Sequence, residues 1–134
     1  MDLDEALEEW LKSVKKIAEL TPKEQAEITG AGAKKYAEIL TETTREKHYS
    51  HHDDKVYGHM ADHVTYQKKN IDGQTTGVSS VGWDNHYHAM NAQRLNDGTK
   101  HIQADHFKTN LDNNEEVAQQ VLEAEKAKYD EVIK

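Results

Sequence analysis

The chain has 134 residues, one domain's worth, and its 17 Lys and Arg against 25 Asp and Glu leave a net charge of −8. That balance excludes a nucleic-acid grip built on clustered cations and attachment to an anionic membrane surface. Cys is absent, which excludes disulfides, thiolate nucleophiles, iron–sulfur clusters and Cys-held zinc.

Hydrophobic residues make up 35% and charged residues 31%. So thin an apolar share suits a chain that finishes its burial against a partner. The apolar runs are too short to span a bilayer. The start is acidic (Asp2, Asp4, Glu5) and lacks the apolar stretch of a secretory signal, so synthesis in a cytosol is the expectation.

Residues 2–20 place Leu3, Leu7, Trp10, Leu11, Val14, Ile17 and Ala18 at three- and four-residue steps, the apolar stripe of an amphipathic helix. The other face carries Glu5, Glu8, Glu9, Lys12, Lys15, Lys16 and Glu19. Thr21-Pro22-Lys23-Glu24 then restarts a helix: Thr21 caps, Pro22 suits the first helical position, and Glu24 completes a capping box. This second helix is predicted from about Pro22 to the Thr43–Lys47 region. Its stripe is made of small residues (Ala26, Ala33, Ala37) with Tyr36 and Leu40, and Gly30 and Gly32 point to close packing against another helix.

Residues 48–58 have no period and read as a mobile loop. His63–Lys68 is β-branched and aromatic, Asn70-Ile71-Asp72-Gly73 supplies turn residues, and Thr75–Trp83 reads as the returning strand. Asp84–Leu95 reads as a short helix or irregular segment closed by a turn at Asn96-Asp97-Gly98-Thr99. The remainder, from about Gln103 to Lys134, is helical with a break at Asp112-Asn113-Asn114, where Asp112 and Glu115 form a second capping-box pattern. Past the break, Val117, Val121, Leu122 and Tyr129 belong to a weak apolar stripe. The order predicts an α+β domain spanning 1–134: two N-terminal helices, a small antiparallel sheet with its hairpin at about 62–83, and a C-terminal helix packing on the sheet.

Nine histidines, all between His48 and His106, invite a metal site. His59 and His63 have the spacing of helical zinc proteases, but the position after the first His, where the catalytic Glu belongs, holds Met60. No three or four of the histidines share a ligand framework, so surface or packing roles are the simpler reading. No Ser sits in a G-x-S-x-G elbow, and no glycine-rich phosphate cradle occurs. Trp83, Tyr87 and Phe107 suit either a core or an interface, where Trp and Tyr are frequent anchors. No catalytic, cofactor-binding or metal-ligating residue is assigned.

His59-Met60-Ala61-Asp62-His63-Val64, then Gly77 and Val81-Gly82-Trp83, then Tyr87, then Asn96-Asp97-Gly98-Thr99, then Gln103-Ala104-Asp105-His106-Phe107 follow one another in the chain. This order resembles the tail-component family of long-tailed bacteriophages. There an "H-L-A-D-x-[IV]" run precedes a hairpin ending in "V-G-[WF]", and a "Y…[EN]-x-G-T" segment is followed by "A-x-P-F". The likeness spans roughly residues 4–125, and its motifs lie in 59–107. His106 stands where the family has Pro, and Asn96-Asp97 replaces its acidic residue.

The resemblance implies a structural virion protein, made in the host cytoplasm, that completes the tail end and joins it to the head connector. It implies a ring, most often of six subunits, with the head connector or completion protein and the tail tube protein as further partners. It implies no enzyme activity and no cofactor. DNA would pass through such a ring without specific binding, which the acidic balance suits. A polar loop that orders on docking, with two aromatics of the kinds that anchor interfaces, makes His51, His52, Asp53, Asp54, Lys55, Tyr57, Trp83 and Tyr87 the candidate assembly interface. Two other functions stay open: a small histidine-dependent metal-binding hydrolase, and a cytosolic adaptor taking a partner helix on the 3–18 stripe.

Overall fold

A computed structural model describes residues 2–48 and 59–133. The first helix, α1, spans Leu3–Ala18, with Asp4 and Glu5 in its first turn and Lys15 and Lys16 in its last, each matched to the nearby end of the helix dipole. The Asp2 carboxylate accepts a hydrogen bond from the Glu5 amide at 2.8 Å. The second helix, α2, runs Pro22–His48. Its start is the reciprocal capping box: the Glu24 amide donates to Thr21 Oγ1 and the Thr21 amide to Glu24 Oε1, both at 3.1 Å. His48, the first residue of the expected loop, is the last residue of α2; the rest of that loop, 49–58, lies outside the described residues.

α2 is the spine. At 27 residues it is about 40 Å long. Packed on it are the strands β1 (Val64–Gln67) and β2 (Ser80–Trp83), a 3₁₀ turn at Met60–His63, and the helices α4 (Phe107–Asp112) and α5 (Glu115–Val132). The strands pair antiparallel, from Val64 opposite Trp83 to Gln67 opposite Ser80. The remaining helix, α3, spans His86–Asp97 and packs on β2, the 3₁₀ turn and α4. The fold is α+β, as predicted. Leu40, Met60, Ala92, Phe107, Leu111 and Val117 form the buried cluster, with Val64, Val81 and Trp83 of the strands and Val121 of α5 packed against it.

The small-residue stripe of α2 does what its composition suggests. Ala26, Ala33 and Ala37 are buried. A Cβ placed on Gly32 would meet the Glu125 side chain of α5, which lies across the glycine. Thr44, buried in the same face, satisfies its hydroxyl by donating to the Leu40 carbonyl at 2.7 Å.

Three expectations need correcting. The returning strand starts at Ser80, not Thr75. Gly77 has φ +97, outside the strand region, and the 77–79 segment bonds to α2 instead: Thr29 Oγ1 donates to the Gly77 carbonyl at 2.8 Å and lies 2.7 Å from Ser79 Oγ. Residues 103–106 precede the helix rather than open it, with His106 in the left-handed region at φ 57. The cap of α5 is Asn114, whose Oδ1 accepts from the amides of Glu116 and Val117 at 2.9 and 3.2 Å. Asp112 is engaged elsewhere: it accepts from the Tyr36 hydroxyl and from Lys108 Nζ at 3.1 Å. Burial, together with that carboxylate, raises the Tyr36 phenol above its ordinary range.

The α3–α4 junction shows why Asn96 and Asp105 sit where they do. Asn96 Oδ1 accepts from the Lys108 and Thr109 amides, both at 3.0 Å, and its Nδ2 donates to Thr109 Oγ1 at 2.9 Å. The Asp105 carboxylate accepts from the Phe107 amide at 3.1 Å. The first amides of α4 are thus capped from outside the helix, because His106 makes no side-chain cap. Asn96→Ala should cost about 1–2 kcal/mol in urea denaturation, and Asn96→Asp, which keeps the acceptor, clearly less. Equal losses in the two variants would refute the capping role.

Candidate functional site

Among the described residues no element packs extensively over the apolar stripe of α1. Leu3, Leu7, Trp10, Leu11 and Val14 are all exposed, Leu3 at 73% and Trp10 at 65%. Single exposed apolar side chains are ordinary; five on one face of one helix mark a contact surface. The helix is also divided in charge along its length. Asp4, Glu5, Glu8 and Glu9 occupy the N-terminal half, just after Asp2, and Lys12, Lys15 and Lys16 the C-terminal half.

At the foot of α1 lies a second apolar feature. An open groove of 470 Å³ runs between α2 and α5, lined by Leu20, Ile28, Leu122 and Tyr129, with Gln25 and Glu125 among its polar members. Burial pushes the Glu125 carboxyl above its usual range. Sequence reasoning put Leu122 in the inward stripe of the last helix, with Val117 and Val121. Val117 is buried, but Leu122 is exposed. The helix turns one edge of its stripe away from the core and into this groove, and no local pattern signals that.

The histidines and aromatics of the centre pack around the 3₁₀ turn. His63 Nδ1 lies 2.9 Å from Asp84 Oδ1. The His63 ring stacks on His88, with centroids 4.6 Å apart, and His88 is buried. Trp83 is half-buried against the core, its Nε1–H donating to the Met60 carbonyl at 3.1 Å. Tyr87 is 45% exposed and meets the His88 ring edge-on at 5.3 Å. Asp62 pairs with Arg45 of α2 at 2.6 Å.

Of the predicted interface residues, Trp83 and Tyr87 therefore sit on either side of this cluster. Trp83 turns toward the core and Tyr87 toward solvent. His51, His52, Asp53, Asp54, Lys55 and Tyr57 lie outside the described residues. His86 and His88 stand on α3 with His86 exposed and His88 buried. Among the described residues no group of three or more His, Cys, Asp or Glu is placed to hold a metal ion. None of the described helices is long and apolar enough to cross a membrane. Comparison with protein-family models, with curated proteins and with solved structures finds no match to this chain.

Proposed function

We propose that this chain is a structural assembly subunit that works by docking rather than by chemistry. The observation that carries the reading is the uncovered stripe of α1. A helix of 16 residues with five large apolar side chains in solvent is marginal by itself and is stabilised by whatever covers that face.

The resemblance to phage tail components names the assembly: the junction between tail and head, with the head connector and the tail tube protein as neighbours and a ring of copies as the working form. It is supported by the way the resembling segments hold one another. The Met60 carbonyl accepts from Trp83, His63 Nδ1–H donates to the Asp84 carboxylate, and Asn96 orders the amides after His106. These segments make one structural unit, as a family motif spread over 59–107 requires. Phage assembled without this protein should accumulate separate heads and tails in electron micrographs, with joining restored when purified protein is added. Normal joining in its absence would overturn the assignment to the head–tail junction.

A second reading, the helical adaptor, is favoured by the exposure of Trp10. It differs in its partner: a helix of another protein on the 3–18 stripe, with no part in a virion. Normal joining together with Trp10 protected from acrylamide quenching by a cellular helix would select it.

A further inference from the structure

We infer that the occupant of the α1 face is α1 of a second copy of this chain, packed antiparallel about a two-fold axis. Leu3, Leu7, Trp10 and Val14 are separated by four, three and four residues. That is the 3.5-residue repeat of two helices lying along one another at a shallow angle. On one flank of this seam stand Ala6 and Ser13, small enough to let two backbones approach. On the other stands Leu11, bordered by Asp4, Glu8 and Lys15.

The charges decide the direction. A parallel pair would bring the acids that border the seam, Asp4, Glu8 and Glu9, level with the same acids of the second copy. An antiparallel pair brings them level with Lys15 and Lys16 of the second copy, and it also opposes the two helix dipoles. The middle of Leu3–Ala18 falls between Trp10 and Leu11. With the axis there, Lys15 of the second copy comes level with Ala6, on the flank between Asp4 and Glu8. In antiparallel pairs like flanks face each other, so this lysine meets two carboxylates, and the symmetry repeats the contact at the other end. Trp10 of each copy lies beside the axis, where a large aromatic contributes most to binding.

The pairing rests on the docking reading of α1 and not on the phage assignment. It is independent of the head–tail experiment, so either can fail alone. Two short helices bury less than a standard interface, so dissociation is expected in the micromolar range, on the order of 10 μM. Sedimentation velocity of the full chain over a micromolar concentration series should show a reversible monomer–dimer equilibrium. Trp10→Glu should weaken it at least about tenfold with an unchanged circular dichroism signal from the rest of the fold.

The decisive test is a charge exchange. Lys15→Glu and the double variant Asp4→Lys/Glu8→Lys should each self-associate more weakly than the parent chain. An equimolar mixture of the two should dimerise again, because every facing pair is then opposite in sign. A mixture that stays monomeric overturns the antiparallel pair. So does dimerisation that Leu122→Glu abolishes and the charge variants leave untouched, which would place α1 in the α2–α5 groove of the second copy. A parent chain that is monomeric throughout the series overturns it in favour of a different protein on this face.

Discussion

Phe107→Ala is expected to remove about 3–5 kcal/mol of stability, the loss typical of a fully buried aromatic cut back to a methyl group. Phe107 is 1% exposed and opens α4, with its ring in the cluster of Leu40, Met60, Ala92, Leu111 and Val117. Those neighbours come from α2, the 3₁₀ turn, α3, α4 and α5, so the cavity would touch nearly every element. A domain of this size has about 5–15 kcal/mol in total, so the variant should sit near its unfolding threshold at ambient temperature. Urea denaturation followed by far-ultraviolet circular dichroism reads the loss. A shift below about 1 kcal/mol would mean the cluster is not the core.

Trp83→Ala should cost about 2–4 kcal/mol, less than the Phe because the indole is only half-buried. Two contributions are lost together. The ring packs on the core cluster beside Val81, and Nε1–H donates to the Met60 carbonyl, fixing the 3₁₀ turn against β2. Trp83→Phe keeps most of the packing and drops only the hydrogen bond, so it should lose about 1 kcal/mol. The pair separates the two roles open to this residue. An interface anchor would leave the isolated chain as stable as the parent and abolish association; a fold residue does the reverse. The geometry places Trp83 with the fold. Tyr87, exposed in the first turn of α3, is the better placed of the two aromatics to meet a neighbour.

Much of the architecture is legible in the residues because the signals are local. Thr21-Pro22-Lys23-Glu24 marks the start of α2 through contacts three residues apart, and those contacts form. The β-branched run after His63 and the Val81-Gly82-Trp83 run announce two antiparallel strands. The break before the last helix is visible in Asp112-Asn113-Asn114. Which of the three caps is not, because the choice is settled by Tyr36, distant in sequence, which takes up Asp112 and leaves Asn114 to bond the amides. The shortened second strand has the same origin: Thr29, about fifty residues away, holds the 77–79 segment to α2.

The candidate site divides in the same way. From the sequence alone, the period of residues 3–18 determines that α1 has one apolar face, which side chains form it, and how its charges are distributed. The tertiary structure decides that this face is left outside. Periodicity reports which side of a helix avoids water, but not what arrives to cover it. Cover depends on elements brought together across the whole chain, and here α5, the strands and α4 occupy α2 while nothing extensive among the described residues returns to α1. Leu122 shows the converse. It belongs to an apolar stripe by spacing, and only the placement of α5 against α2 turns it outward to line a groove. The α1 face and the α2–α5 groove thus come from one cause: local sequence makes an amphipathic face, and long-range packing determines whether that face is spent inside the fold or left for a partner.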